Sequence, residues 1–326
     1  MKRFFFLLLS VAAAAAAQDA AQLREAAAKA FRPLLAQSPN FIRIGGCNSC
    51  HNQDLPVFAQ SIARARGVDA GGDFELVTGS EGYERVFEHS GLLSASSLGY
   101  AAMLHVARRE PLSAFTDGVV NFITSHQEAD GRWAARSNRQ PLSTGDHHAT
   151  AFAIFTLRHY GRPAMRDTLA PRIARAVAWL EEHPPVSNQD AAMQLMGLVW
   201  GEADQAAIAR AGDGVRRRQV EDGGWAQLRT LKSDAYATGQ SLYSLALAGA
   251  THADPVVRRG LHYLLRTQAA DGTWHVKARS KPFQPYFESG FPYGHDQWIS
   301  AAGTSWAAAA LAMALPSAPA HTAQQR

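Results

Sequence analysis

Gln127-Glu128-Ala129-Asp130-Gly131-Arg132-Trp133, Gln219-Val220-Glu221-Asp222-Gly223-Gly224-Trp225 and Gln268-Ala269-Ala270-Asp271-Gly272-Thr273-Trp274 are three copies of one pattern, Gln-x-x-Asp-Gly-x-Trp. The tryptophans lie 92 and 49 residues apart, so one degenerate unit fits between the first two at a period near 46. Such a period marks an array of helical hairpins, in which no unit buries its apolar face alone. Each copy ends an amphipathic helix. Val119, Phe122 and Ile123 lead into Gln127, and Val256, Leu261 and Leu264 lead into Gln268, at helical spacings. Asp-Gly then stops the helix, because glycine tolerates the left-handed backbone required there.

A second helix, richer in small and apolar residues, follows each turn, at 144–160, 234–250 and 301–315. Ser143, Ser187 and Ser233 stand where an N-cap hydroxyl is useful. The array extends backwards as helix pairs at 172–183 and 187–200, 81–89 and 94–109, and 23–35 and 51–66. That makes six hairpins and no credible strand run. Six hairpins with buried inner helices can close on themselves, which leaves no unsatisfied end. The predicted fold is therefore all-α, a six-hairpin α/α toroid over residues 18–316, with 317–326 as a disordered tail. At 47% hydrophobic and 18% charged residues the chain is globular and not disordered.

The three Gln-x-x-Asp-Gly-x-Trp segments resemble the QW repeats of squalene–hopene cyclases and related prenyltransferase-like toroids. The likeness covers about residues 115–315 well and 20–110 by helix pattern alone. It implies that Gln127, Trp133, Gln219, Trp225, Gln268 and Trp274 tie the end of one outer helix to the next hairpin. The family's chemistry does not follow. Its cyclases use an Asp-x-Asp-Asp acid motif, and no two aspartates here stand at i and i+2. Its prenyltransferases hold zinc with Asp, Cys and His, and no cysteine lies beyond position 50. The resemblance supplies a fold without a reaction.

Cys47-Asn48-Ser49-Cys50-His51 holds the chain's only two cysteines. This is the spacing for covalent c-type haem attachment: two thiols at i and i+3 reach the vinyl groups, and His51 binds the iron. One covalent haem c is expected, with His51 as proximal ligand at the start of the first inner helix. A small separate cytochrome domain in residues 18–110, with Met103 as distal ligand, is the alternative layout. A Cys-x-x-Cys redox pair lacks a βαβ context, and zinc would need two more ligands. Candidate distal ligands are His148, His147, Met103 and His295, with Met193 and Met196 also on inner helices.

The compartment agrees with a haem. Met1-Lys2-Arg3, a fourteen-residue apolar run from Phe4 to Ala17, and Ala15-Ala16-Ala17 read as a secretory signal peptide over residues 1–17. A periplasmic or secreted chain is expected, with no integral membrane segment after cleavage. The charge is 32 basic against 28 acidic residues, and cleavage removes Lys2 and Arg3. An excess that small gives no reason to expect a nucleic-acid partner. The long loop 279–298 is aromatic, with Phe283, Tyr286, Phe287, Phe291, Tyr293 and Trp298, and reads as either a lid or a plug. Arg136, Arg139, Lys277, Arg279 and Lys281 flank it as possible propionate or partner contacts. Three functions compete: electron transfer to a redox partner protein, a haem-dependent oxidoreductase acting on a small apolar ligand in the ring, and non-redox ligand binding.

Overall fold

The computed structural model describes residues 2–45, 50–76, 94–135, 139–281 and 285–317, with the backbone alone over 2–17. Helix α1 (Lys2–Gly45) leads to a π-helical turn (Cys50–Asp54) that runs straight into α2 (Leu55–Ala65). Then come α3 (Ala95–Arg108), α4 (Ala114–Ser125), α5 (Asp146–Tyr160) and α6 (Arg166–Glu182). The chain continues through α7 (Asn188–Trp200), α8 (Gln205–Arg216), α9 (Ala235–Leu247), α10 (Pro255–Thr267) and α11 (Gln297–Met313).

Helices α2, α3, α5, α7, α9 and α11 each pack on the next, and α11 packs back on α2. The ring is closed. Helices α1, α4, α6, α8 and α10 lie outside it. Composition sorts the two layers. In α11 the run from Ile299 to Ala312 is buried throughout, whereas α10 buries a stripe that includes Val257, Leu261 and Leu264 and exposes the rest. Small residues let the inner helices approach closely; a Cβ on Gly239 of α9 would stand 2.5 Å from the Trp306 backbone of α11. Starts of inner helices meet starts, as in Ser96 with His148 and Gln189 with Tyr236. Near the other rim, Arg158 late in α5 reaches the Gly201 carbonyl after α7. The inner helices therefore run parallel, and their N-termini share one mouth.

The repeat residues do the tying that their pattern implied. Gln127 Nε2 donates to the Arg172 carbonyl of α6, Gln219 Nε2 to the Val256 carbonyl of α10, and Gln268 Nε2 to the Ala26 carbonyl of α1. The third of these joins the end of the array to its beginning. Each tryptophan indole donates back to its own outer helix, at Ile123, Val215 and Leu264. Each tryptophan backbone N–H donates to an inner-helix threonine: Thr150, Thr238 or Thr304.

The glycine of each motif sits at positive φ against the next outer helix. At Gly223 (φ 86°) an added Cβ would stand 2.8 Å from the Arg259 carbonyl oxygen. Gly223→Ala is expected to cost about 1–3 kcal/mol, from left-handed strain and that clash. Urea unfolding checks it, and a cost below 0.5 kcal/mol (roughly the level of an ordinary surface change) would contradict the tight seam.

Several expectations need correction. Only Ser187 caps as anticipated, in a reciprocal box with Asp190. Asp234 caps α9 in place of Ser233, because its carboxylate reaches Ala237 N at 2.9 Å. Gly145 precedes α5 in place of Ser143, and no side chain caps there. Helix α1 is far longer than 23–35, since no glycine breaks it before Gly45 and Pro33 and Pro39 are accommodated inside it. Trp225–Ala226 and Ser233–Asp234 form a two-residue antiparallel ladder where no strand was expected. The expected helix at 81–89 and the tail beyond 317 lie outside the described residues. Among the described residues, no helix is long and apolar enough to cross a membrane.

Candidate functional site

The polar residues of the ring gather at the mouth where the inner helices begin. The π-helical turn places Cys50 half-buried at its first position and buries His51, Asn52, Gln53 and Asp54. Buried polar groups need partners, and this turn finds some of them. Gln53 Nε2 donates to the Ser38 and Glu75 carbonyls. Asp54 Oδ1 is buried with no partner, and burial pushes its carboxyl well above the ordinary range.

His51 is 8% exposed, and its Nδ1 is buried without a hydrogen-bond partner. Burial, with the Arg139 charge beside it, holds this imidazole down at about 3, so it is neutral. Its ring meets Tyr100 of α3 edge-on at 6.4 Å. On another side of Tyr100 lies His148 of α5, with ring centroids 5.8 Å apart. Tyr100 itself donates to the Leu142 carbonyl. His148 is fully buried and shares a 3.0 Å hydrogen bond between Nδ1 and Ser96 Oγ, which leaves Nε2 without a partner. Burial also holds His148 at about 3. Two neutral imidazoles, each with one unused nitrogen, thus touch one tyrosine.

His148 therefore contributes stability that is complete above the ordinary histidine value near 6.5 and is lost as pH falls toward 3. Only the unfolded chain takes up the proton in that window. The unfolding free energy, parent minus His148→Asn, is expected to fall by up to about 1.4 kcal/mol per pH unit from 6.5 downward. Urea titrations at stepped pH measure this. A constant difference would show that His148 is not held neutral.

The other sequence candidates fare differently. His147 points outward, with Nε2 donating to the His183 carbonyl at 2.9 Å and its ring against Trp179. Met103, Met193 and Met196 are fully buried among core side chains. His295 is exposed in a short 3-10 turn (Gly294–Asp296) and leans on Tyr286. Cys47, Arg136 and Phe283 lie outside the described residues. Asp54, Tyr100 and Gln240 carry polar atoms into this mouth, and sequence reading missed all three.

The described part of the long loop is tied down. Gln297 Oε1 accepts from Ser289 N and Oγ, Asn40 Nδ2 donates to the Ser289 carbonyl, and Phe287 packs edge-on against Phe41 of α1. Asp296 gathers His275, Lys277 and the Ala278 N–H. Such knitting ties this part of the loop to α1 and α11.

Two cavities stand out among the described residues. One, of about 220 Å³, opens between the starts of α5, α7 and α9 and includes Gln140, Gln189, Tyr236, Gln240 and Arg279 in its lining. The other, of about 600 Å³, runs outside the ring along α6 and α8, with Arg210, Arg217, Arg218 and Arg229 in its walls. Neither is lined by Cys50 or His51. Deeper, the ring is packed: Phe58 meets Phe155 and Tyr243, Tyr243 meets Trp306, and Phe155 meets Trp200.

Among the described residues no group of three or more His, Cys, Asp or Glu side chains could hold a metal ion. A haem needs fewer protein ligands. The donor chemistry is of the kind a haem uses, with a thiol at the rim, a neutral imidazole beside it with an unmade bond, a second neutral imidazole against Tyr100, and the Arg139 charge nearby. The described packing around Tyr100, however, leaves no cavity for a macrocycle beside Cys50 and His51.

Comparison with known proteins agrees with the fold. The squalene–hopene cyclase C-terminal domain family matches residues 187–294. No curated protein matches the chain. A solved structure of a variant of MstE, a type II terpene cyclase from Scytonema, in complex with its substrate geranylgeranyl dihydroxybenzoate, is 14% identical. The match covers 90% of this chain and 99% of that one, with a TM-score of 0.53. The chain is an all-α toroid of the terpene-cyclase type.

Proposed function

We propose that the chain is an exported monohaem c-type protein that passes electrons to a partner protein, built on a terpene-cyclase-like toroid. The observation that carries this reading is the neutral, incompletely bonded imidazole of His51 directly after Cys50 at the mouth of the ring. Iron takes the neutral form of imidazole, and burial has already removed the competing proton. Cys47 and Cys50 would hold the macrocycle, His51 would be the proximal ligand and His148 the distal one. Bound there, the haem supplies one-electron redox chemistry.

The chain's own residues do the rest. Ser96 fixes the tilt of His148 through Nδ1, as an outer-shell partner of a ligand does. Tyr100 and Phe152 exclude water from the same imidazole. Because His51 is 8% exposed, binding iron there requires the packing around Tyr100 to open. Haem oxidation of an apolar substrate inside the ring finds less support, because aromatic side chains fill the ring at mid-depth.

The test is the absorption spectrum of the exported chain, co-expressed with haem-attachment machinery, oxidised and reduced. A Soret band with a six-coordinate, carbon-monoxide-inert reduced form is expected. A chain without a Soret band would remove the proposal, and a reduced form that binds carbon monoxide readily would favour the enzyme.

A further inference from the structure

The mouth holds a second feature that the haem reading does not use. Gln240, in the middle of α9, is fully buried; neither its Nε2 nor its Oε1 makes a hydrogen bond of good geometry, and the Tyr236 hydroxyl one turn earlier is its polar neighbour. Leaving a buried amide donor and acceptor both unmade costs free energy, and an apolar side chain of similar shape would avoid that cost. Gln240 lines the 220 Å³ cavity. Its amide therefore lies beside a space that something else can occupy.

The walls around that space are already set. Tyr236 donates its hydroxyl to Gln189 Oε1 at 2.7 Å, and Gln189 Nε2 donates to the Thr144 carbonyl at 3.0 Å. Gln227 Nε2 donates to Asp234 Oδ2, while Gln227 Oε1 accepts from Arg279 Nε at 2.6 Å. That contact clamps the guanidinium plane, and its two terminal nitrogens make no hydrogen bond among the described residues. The open valences are thus the Arg279 fork, which donates, and the Gln240 amide, which both donates and accepts.

Charge and size narrow the occupant. Asp190 lines the same cavity, and Asp234 couples electrostatically to Arg279. One cation facing two carboxylates disfavours an anion, and the arginine disfavours a cation. A neutral ligand remains. About 220 Å³ holds roughly seven waters at liquid density, which is below the usual range for drug-sized ligands and far too small for a polyene. Adjacent hydroxyl groups match an amide, since one accepts from Nε2 while its neighbour donates to Oε1.

We infer that this cavity is a binding site for a small neutral polyol of monosaccharide size, read by the paired donor and acceptor of Gln240 and the clamped Arg279. Neither Cys50 nor His51 lines this site.

The experiment is saturation-transfer NMR and calorimetry on the full-length chain with D-glucose, D-galactose, myo-inositol and, as the anionic counterpart, D-gluconate. At least one neutral probe is expected to bind saturably, with gluconate at least tenfold weaker. Gln240→Met should weaken that binding at least tenfold while leaving the melting temperature unchanged or raised, because no internal hydrogen bond is lost. The inference is overturned by failure of all three neutral probes, by gluconate binding as well as they do, or by unchanged affinity in Gln240→Met. A lower melting temperature for that variant would also overturn it, because the amide would then have internal partners.

Discussion

Trp274→Ala is expected to lower the unfolding free energy by about 3–5 kcal/mol, the range for emptying a buried aromatic site. Trp274 is 2% exposed and packed in the core. Its indole N–H donates to the Leu264 carbonyl at 3.0 Å, so truncation leaves a cavity and an unpaired carbonyl together. This tryptophan also stands at the seam. Gln268, six residues earlier, binds the Ala26 carbonyl of α1, and Gly272 lies against the Lys29 backbone. Loss of Trp274 should therefore loosen α1 as well as α10. Hydrogen exchange at amides 20–35 should quicken in Trp274→Ala but not in Trp133→Ala, whose motif ties α4 to α6. A cost below about 1 kcal/mol, within the range of ordinary single substitutions, would show that the motif does not close the ring.

Cys47→Ala combined with Cys50→Ala is expected to abolish covalently held haem completely. Two thioethers are the only covalent links that the motif provides, and no cysteine lies beyond position 50 to replace them. Either single variant should retain reduced attachment through the remaining thiol. His51→Ala should keep the covalent link but lose the low-spin spectrum, because it removes a ligand and leaves both thiols. Haem staining after denaturing electrophoresis reads the first effect, and the visible spectrum reads the last. Staining that survives in the double variant would mean that the haem is held elsewhere, and the assignment of this motif would fall.

The ring was legible in sequence because its closure is written locally. Gln268, Gly272 and Trp274 each bond within ten residues, at Gly272 O and Leu264 O, and the same pattern makes the one long contact to α1. Cap positions were legible only to within a residue or two. Ser233 and Asp234 are adjacent good caps, and the short ladder from Trp225 to Asp234 selects the second. His147 and His148 could not be told apart, since neighbours on a helix point about 100° apart and only the packed helices decide which faces inward. Here Ser96 of α3 took His148, and the His183 carbonyl took His147.

Gln240 was invisible for another reason. Helix 234–250 was legible as an inner helix, but nothing local says whether Gln240 on it finds a partner; only the closed ring shows its amide buried beside a cavity. Asn52, Gln53 and Asp54 fall in the segment read as the first inner helix, and the structure buries them in a π-helical turn ahead of it. Positions where a local rule fails without an internal gain are where function is expected.

The central claim is that a haem is tethered through two thioethers at the mouth of this closed helical ring. Intact-mass spectrometry of the exported, processed chain, made alongside haem-attachment machinery, tests it most directly. A chain beginning near Gln18 and carrying the added mass of one haem is expected, with that mass lost in Cys47→Ala/Cys50→Ala. A processed chain at its bare polypeptide mass would contradict it.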